Sequence, residues 1–428
     1  MITGLLIGSF ILLLLLGIPV VWAMAAAVIL TTTFGGIGLP IAWLSQQVLH
    51  GADSITLSAI PLFLLAGGVM NKGGLTHRIV GVAEDVFGRV PGGLGLVNVA
   101  TALVYGGISG SATADTGAVA AIMIPAMEKR GYPRDFSAAV TAASGTLGMI
   151  VPPSVILILY GVITNTSIGG LFVAGILPGL LVCAAFMLVA YLVGARQGFQ
   201  RSERRPTIVS FSRDTLRALP ALLMPLLVIG AIVGGIATAT EAAALALVYA
   251  LLVGFLVYRE LSWRDLPGIA LEALSTTGAI MMIMAVATPF AWILTIEQVP
   301  MMAAGWITGL HTGPYETIAL VLLVLKVVGF WIDLGPALVI LGPILTPIAQ
   351  AAGFGPYQVG LLFIVTLGIG LFTPPIGTNI FVVCNVARID MWSVSRRLVP
   401  FWIAAILCVV VLVAIPAITQ WLPGVFGL

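Results

Sequence analysis

Long apolar runs separated by short polar segments make up most of the chain. A helix needs roughly 20 residues to cross a bilayer. Ten runs approach that length, at about 2–16, 18–34, 54–71, 136–162, 169–195, 218–236, 240–258, 272–294, 358–387 and 399–422. The first two share the turn Gly17–Pro19, so two short helices and one long kinked helix are both open. The pattern predicts an all-α polytopic membrane protein.

Two further apolar runs, 92–128 and 316–350, are interrupted at their centres. The interruptions read "YGGISGSATAD" and "VGFWIDLGP". Each run therefore predicts two half-length helices that meet at a polar, glycine-rich tip. Such a tip is tolerated at membrane depth only when protein buries it or it faces a water-filled cavity. We expect two re-entrant hairpins.

Two of the spanning runs carry a double proline, in "GMIVPPSVIL" at Pro152-Pro153 and "GLFTPPIGTN" at Pro374-Pro375. Proline removes a backbone donor and clashes with the preceding turn. The runs 136–162 and 358–387 are therefore predicted to be broken helices.

The two halves of the chain repeat at a shift of 222 residues. This shift carries Pro125 onto Pro347, Gly131 onto Gly353, Gly148 onto Gly370, and the first double proline onto the second. An odd number of about five spans in each half makes the second copy inverted. The predicted organisation is a first inverted repeat over 1–195, a cytoplasmic linker over 196–217 and a second inverted repeat over 218–428. Inverted repeats with paired broken helices indicate a secondary transporter with its site near the membrane midplane.

Composition and charge support a membrane protein and give its orientation. The chain is 60% hydrophobic and 8% charged, with a mean hydropathy of +1.17. With the hairpins entering and leaving on one side, every basic residue except Lys326 falls on the same side, which is 17 of 18. The loops 35–53, 163–168, 295–315 and 351–357 contain no Lys or Arg. The basic side is predicted to be cytoplasmic, which places both termini on the periplasmic side.

The breaks and tips are the candidate chemistry. A broken helix offers carbonyls at one end, which suit Na⁺, and amides at the other, which suit a carboxylate. Ser and Thr hydroxyls add oxygen ligands for a hard cation. No nucleotide-binding, zinc or nucleophile-elbow motif occurs, so an enzyme is not expected.

Four charged residues within apolar runs need an explanation. Asp115 and Asp333 lie at the two hairpin tips, where each can bind Na⁺, anchor the tip, carry a proton or cap the returning half-helix. Glu241 follows Thr238 by three residues, which favours an N-terminal cap. Three roles are open for Lys326: an ion pair with Asp333, a side chain that reaches the outer surface, or a contact with an anionic substrate. The sequence does not choose among these three.

Four amphipathic stretches are predicted to be interfacial helices: "IAWLSQQVLHGAD", "THRIVGVAEDVFGRV", "SWRDLPGIALEAL" and "PMMAAGWITGL". They can brace a static scaffold around a moving hairpin unit.

The chain resembles the large membrane subunit of the tripartite ATP-independent periplasmic (TRAP) transporters over almost its whole length. The resemblance is carried by "GIPVVWAM" at 17–24, "SGSATADTGAVAAIMIPAM" at 109–127, "GYPRDFSAAVTAASGTLGMIVPPSVILILYG" at 131–161, "GIATATEAAALALVYAL" at 235–251 and "GIGLFTPPIGTNIFV" at 368–382. It implies an elevator-type importer in a bacterial or archaeal inner membrane. It further implies a sodium gradient as the driving force, and an organic acid such as a C4-dicarboxylate or sialic acid as the substrate. The implied partners are a small four-helix membrane subunit, a periplasmic substrate-binding protein and membrane lipid, with no nucleic acid and no organic cofactor.

The resemblance also implies site residues. The first Na⁺ site would comprise Ser109, Gly110, Ser111, Ser144, Thr146, Gly148 and Pro152. The second would comprise Asp333, Gly335, Gly370, Thr373, Pro374 and Gly377. The substrate would lie between them, on Ser111, Thr113, Asp115, Ser154, Asp333, Gly377, Thr378 and Asn379. Two rival hypotheses are a stand-alone sodium- or proton-coupled carboxylate symporter and a passive channel.

Overall fold

The chain is helical throughout the part described by the computed structural model, which covers residues 2–36, 38, 40–200, 202, 207–302, 305 and 313–428. No β-strand occurs in these ranges. Within these ranges seven helices are long and apolar enough to cross a membrane, and one bent pair would make an eighth span. The all-α polytopic prediction is confirmed. The other predicted spans are divided into shorter apolar helices, because glycines and prolines interrupt the runs.

The helices of the first half begin at the second residue and extend to the predicted linker. They are α1 Ile2–Leu15, α2 Val20–Phe34, α3 Ile41–Ala52, α4 Ala59–Lys72, α5 Leu75–Phe87, α6 Gly93–Ser109, α7 Ala112–Glu128, α8 Arg134–Ser144, α9 Leu147–Ile150, α10 Val155–Thr164 and α11 Ile168–Gln197. A 3₁₀ turn, Ile55–Ser58, leads into α4.

The second half starts with α12, which begins inside the predicted linker 196–217. Its helices are α12 Ile208–Val233, α13 Ala239–Leu252, α14 Leu266–Ile296, α15 Pro314–Val328, α16 Leu334–Ala351, α17 Pro356–Leu371, α18 Thr378–Ala387, α19 Met391–Ala414 and α20 Ala417–Val425. A π-helical turn, Val253–Tyr258, continues α13.

The N-terminal region forms two helices. The chain turns at Gly17, whose φ of 81° is in the left-handed region, and α1 then packs against α2. A single kinked helix would not bring its two segments side by side, so that alternative is wrong.

The amphipathic stretches have different outcomes. The first two form separate helices, α3 and α5, as expected. The stretch 262–274 instead runs into the 31-residue helix α14, because its proline, Pro267, lies in the first turn, where a helix tolerates proline. The stretch 300–310 lies largely outside the described residues.

The helices pack as two groups, which we call the frame and the bundle. The frame is α1–α5 with α12–α14, in which α4 packs on α13 and α3 packs on α14. The bundle is α6–α11 with α15–α20, in which α18 packs on α7 and α8, and α11 packs on α19 and α20. The two groups are joined where α4, α5 and α12 contact α6, where α12 contacts α11, where α4 contacts α10 and where α14 contacts α16, and α5 packs on α6 as extensively as on α12. Both hairpins and both broken helices therefore belong to the bundle.

Helix bounds in the bundle recur at the shift seen in the sequence. A displacement of 222 residues carries Ala112 at the start of α7 onto Leu334 at the start of α16, and Arg134 at the start of α8 onto Pro356 at the start of α17. The two hairpins and the two broken helices therefore have corresponding positions in the two halves.

Glu241 acts as a cap, as its spacing predicts. The Glu241 amide donates to Thr238 Oγ1 at 3.3 Å, and Glu241 Oε2 accepts from the Thr238 amide at 2.8 Å. These reciprocal bonds satisfy two free amides at the start of α13.

Thr238→Ala removes the cap and is expected to lower the free energy of unfolding by about 1 kcal/mol, the usual cost of losing an N-cap. Thermal unfolding of the purified protein in detergent measures the effect. Ser275→Ala is the control, since that exposed hydroxyl bonds only to Leu271 O of its own helix. An equal loss in both variants would contradict the capping role.

Candidate functional site

The tip of the first hairpin is fixed against the first helix break. The chain turns between α6 and α7 at Gly110, which has a φ of +65°. The Gly110 carbonyl accepts a hydrogen bond from the Val155 amide at 3.4 Å. A Cβ at Gly110 would lie 2.8 Å from Pro153 O. Glycine is therefore required both for the turn and for the close approach of tip and break.

The first break reorients the chain between α9 and α10. The segments Arg134–Ile150 and Val155–Thr164 differ in direction by 45°. Ser154 stabilises both sides of the break, because its Oγ donates to Met149 O at 2.7 Å and accepts from the Leu157 amide at 3.5 Å. The hydroxyl supplies a partner to each interrupted half-helix.

The second tip and the second break also meet. Asp333 is the residue before α16, and Thr378 Oγ1, at the start of α18, donates to Asp333 Oδ1 at 3.5 Å. On the other side of the break, Thr373 Oγ1 donates to Ile369 O. The glycine between them, Gly377, is so close to Thr373 that a Cβ would lie 2.9 Å from its carbonyl oxygen.

A cavity of about 240 Å³ lies between the two tips. It is lined by Gly110, Ser111, Ala112 and Thr113 of the first tip, Val155 and Ile156 of the first break, Asp333, Leu334, Gly335 and Pro336 of the second tip, Leu64, Met149, Leu371, and Thr276, Ala279, Ile280 and Ile283 of α14. The N-termini of α7, α10 and α16 all reach it. Amide groups at helix N-termini carry partial positive charge, so the cavity favours an anion.

A second, more polar cavity of about 390 Å³ adjoins the first. We call it the vestibule. Leu64, Ser111 and Thr276 line both spaces, so the two are contiguous. Lys72 and Arg264 lie along the vestibule, and both belong to the side predicted to be cytoplasmic.

Asp115 is buried at the inner end of the vestibule. Its side chain is fully enclosed, and Ser109 Oγ donates to Oδ1. Among the described residues Oδ2 has no hydrogen-bond donor, and it lies against Gly148, where a Cβ would collide with it. A buried carboxylate oxygen without a partner is costly, which makes this position a candidate for a bound cation.

The structure brings together only part of the predicted first Na⁺ site. Ser109, Gly148 and Asp115 are in contact. Ser144 Oγ donates to Asn98 Oδ1 at 3.0 Å. Thr146, in the turn between α8 and α9, donates from Oγ1 to Ala143 O of α8 at 2.7 Å.

The predicted substrate residues divide in the same way. Ser111, Thr113 and Asp333 line the cavity between the tips. Ser154, Gly377, Thr378 and Asn379 are not among its described lining, and Asp115 lines the vestibule instead. Asn379 is fully buried and donates from Nδ2 to Ala142 O at 3.1 Å, so it connects α18 with α8.

Lys326 does not pair with Asp333, one of the three contacts considered from the sequence. Its Nζ lies 3.5 Å from Thr373 Oγ1 and 4.8 Å from the centre of the Phe330 ring. Within the described ranges no carboxylate, Asp333 included, lies within ion-pair distance of it.

The sequence reasoning missed the contribution of α14. Thr276 lines both cavities, and Glu272 lines the vestibule one turn earlier. The polar run Ser275–Thr277, "STT" in "LEALSTTGAI", was the sequence feature that could have indicated this contribution. It indicates a polar helix face, but only the fold shows that this face meets the tips.

Known proteins match the chain over most of its length. The family model described as "Tripartite ATP-independent periplasmic transporter, DctM component" matches residues 7–418. The sialic acid TRAP transporter large permease protein SiaM of Vibrio cholerae is 37% identical over 413 residues, covering 96% of this chain and 95% of that protein. The C4-dicarboxylate TRAP transporter large permease protein DctM of Pseudomonas aeruginosa is 35% identical and covers 90% of each chain.

One relative is longer. The isethionate TRAP transporter permease protein DctMQ of Oleidesulfovibrio alaskensis is 38% identical over 420 residues, which are 98% of this chain and 66% of that protein. Among solved structures, the fold is similar to that of Neisseria gonorrhoeae MtrF, with a TM-score of 0.62 and 14% identity over 89% of this chain and 85% of that chain. At this identity the likeness concerns the fold alone.

The contiguity of the two cavities predicts where an introduced thiol reacts. In a chain with Cys183, Cys384 and Cys408 replaced by alanine, Thr276→Cys is expected to react with a charged methanethiosulfonate reagent, because water reaches it through the vestibule. Thr366→Cys, at a buried position on α17, is the control and is expected to remain unlabelled. Inside-out membrane vesicles expose the predicted vestibule side. Equal labelling of both positions, or none at Thr276→Cys, would contradict the described opening.

Proposed function

This chain belongs to the DctM component family of tripartite ATP-independent periplasmic transporters, and on that premise we propose that it is the permease subunit of a sodium-gradient-driven organic-acid importer. The family is one of membrane permeases and not of enzymes. The substrate we propose is a carboxylate of the size of a C4-dicarboxylate or sialic acid. It would be delivered by a periplasmic substrate-binding protein.

The observation that carries this proposal is the cavity between the tips. Three helix N-termini, at Ala112, Val155 and Leu334, border one space of about 240 Å³. Ser111 and Thr113 add hydroxyls, and no basic side chain occurs in its described lining. A carboxylate would be held by amides and hydroxyls, an arrangement that anion sites at helix N-termini use. A fixed cation is not required.

Coupling to Na⁺ is supported by the carboxylate at Asp115. Its Oδ2 has no donor in the described structure, while Ser109 and the backbone near Gly148 adjoin it. Carboxylate, hydroxyl and carbonyl oxygens are the ligands that hard cations prefer. We propose that Na⁺ is bound here as a transported ion, and that it compensates the negative charge next to an anionic substrate.

An elevator movement is supported by the division into frame and bundle. Both tips and both breaks belong to the bundle, whereas Thr276 and Ile280 on the opposite wall of the cavity belong to α14 of the frame. Sliding the bundle along the frame would therefore separate the site from this wall and change the side to which it opens. Gly67 allows α4 of the frame to lie close to the end of α6 in the bundle, because a Cβ at this position would lie 2.7 Å from Ser109 Cα.

We further propose that a small four-helix membrane subunit packs on the frame. α12 exposes large apolar side chains, among them Leu216, Leu223 and Leu226. The name of the longer relative, DctMQ, indicates a permease with an additional component. We place the complex in a bacterial or archaeal inner membrane, with both termini periplasmic and the linker 196–217 cytoplasmic. The alternative function is a stand-alone sodium- or proton-coupled carboxylate symporter.

The first test is uptake in proteoliposomes that contain the chain with its small subunit and its binding protein. An inward Na⁺ gradient is expected to drive accumulation of the organic acid, and replacement of Na⁺ by choline is expected to abolish it. Uptake that ignores the Na⁺ gradient would overturn sodium coupling. Equal uptake without the binding protein would favour the stand-alone symporter.

The second test removes the charges at the tips. Asp115→Asn and Asp333→Asn are each expected to reduce uptake at least tenfold, with unchanged membrane insertion, because both carboxylates border the proposed path. Asp135→Asn is the matched control. Asp135 forms an ion pair with Arg397 at 2.8 Å, and neither residue is in the described lining of the two cavities. Wild-type uptake in both tip variants would mean that these two residues are structural caps with no role in transport.

A further inference from the structure

Lys326 stands apart from the other basic residues of the chain. It lies in the last turn of α15, inside the second hairpin, and is half-buried. Its Nζ contacts the Thr373 hydroxyl at 3.5 Å and the face of Phe330 at 4.8 Å. No described carboxylate forms an ion pair with it. An ammonium group held at membrane depth without an acidic partner requires another source of negative potential.

Two helix C-termini supply that potential. α15 ends at Val328 and α17 ends at Leu371, and the two ends touch: a Cβ at Gly370 would collide with Gly329 O. The last carbonyls of a helix carry partial negative charge and favour a cation within one turn. The Lys326 ammonium is placed near both ends, since it belongs to the last turn of α15 and contacts Thr373, the second residue after α17.

The same position is where the sequence predicts the second Na⁺ site. Thr373 and Gly370 are two of its predicted ligands, and both lie at the end of α17 beside Lys326. A Na⁺ on these oxygens would stand within a few ångströms of an ammonium group. Like charges at that distance repel strongly in a site of low dielectric constant. The residues present do not fit a second Na⁺ while Lys326 is charged.

The first half of the chain shows the opposite charge. The shift of 222 residues relates Lys326 to Val104, which is apolar, and Gly370 to Gly148. Gly148 is the residue against which the unpartnered Asp115 Oδ2 lies. The carbonyl end of the first break therefore adjoins a carboxylate oxygen without a partner, whereas that of the second adjoins an ammonium without an ion pair in the described structure, because Asp333 contacts the amide side of that break at Thr378.

We propose that the Lys326 ammonium takes the place of a second Na⁺. This permease then binds one Na⁺ per chain, at Asp115, and the second positive charge is that of the Lys326 side chain. The inference rests on the proposed sodium coupling. Asp333, seven residues after Lys326 on the same hairpin, has the opposite formal charge, but the two form no ion pair in the described structure.

Lys326 is not a substrate ligand in this arrangement. The cavity between the tips has Asp333, Gly335 and Leu371 in its described lining, and not Lys326 or Thr373. The ammonium faces the carbonyl ends of the helices, whereas the cavity faces their amide ends. Its role is to stabilise the second break.

The experiment counts Na⁺ bound at saturation by radioactive ²²Na⁺ on the purified permease complex in detergent. The wild-type complex is expected to bind one Na⁺ per chain. Lys326→Met removes the charge but keeps an unbranched apolar side chain, and it is expected to bind two. Lys326→Arg keeps the charge and is expected to bind one. Lys129→Met, at an exposed position at the end of α7, is the matched control and is expected to bind one.

The outcomes separate this inference from the proposed function. Two Na⁺ in the wild type, or one in Lys326→Met, would overturn the role of Lys326 and leave sodium coupling intact. No Na⁺ in the wild type would overturn sodium coupling itself. Asp115→Asn is expected to lose the single ion of the wild type, and the double variant with Lys326→Met is expected to keep one. If Lys326→Met is not recovered folded, the wild-type count and Lys326→Gln decide the question.

Discussion

The structure depends on the need to satisfy backbone hydrogen bonds where no water is available. In hydrocarbon each free carbonyl or amide is costly, so a helix that stops within the membrane needs another partner. The tips and breaks provide partners for each other: Gly110 O accepts from the Val155 amide, and Ser154 Oγ donates to Met149 O. Trp402 Nε1 donates to Phe372 O, the carbonyl that follows α17, at 2.9 Å. The groups left over after this pairing are the ones available to ligands.

This division explains why two kinds of site arise from one type of helix break. Amide ends gather around the cavity between the tips, and carbonyl ends lie behind them, at Gly148 and at Gly370. The first environment is suited to anions and the second to cations. Side chains then set the charge of each carbonyl end, with Asp115 in one half and Lys326 in the other. The repeated backbone therefore does not impose equal chemistry on the two halves.

Much of this architecture could be predicted from the sequence because it depends on local residues. Glycine-rich interruptions give the hairpin tips, double prolines give the breaks, and the spacing of Thr238 and Glu241 gives a cap. The composition of the site was harder to predict, because it depends on which helices meet. Ser144 was predicted as an ion ligand by position, and only the fold shows that its hydroxyl donates to Asn98 of α6. Thr276 comes from a helix with no motif, and Asp115 faces the vestibule because α7 turns it towards Gly148.

The hydrogen bond from Asn379 to Ala142 O crosses from one half of the chain to the other. It joins α18, which follows the second break, to α8, which precedes the first, and both ends are buried. This bond couples the two breaks, because neither α8 nor α18 can shift by the length of a hydrogen bond without moving the other helix or breaking the bond. The proposed Na⁺ at one break would then also restrain its counterpart. The two halves of the bundle are thus expected to move together as one unit.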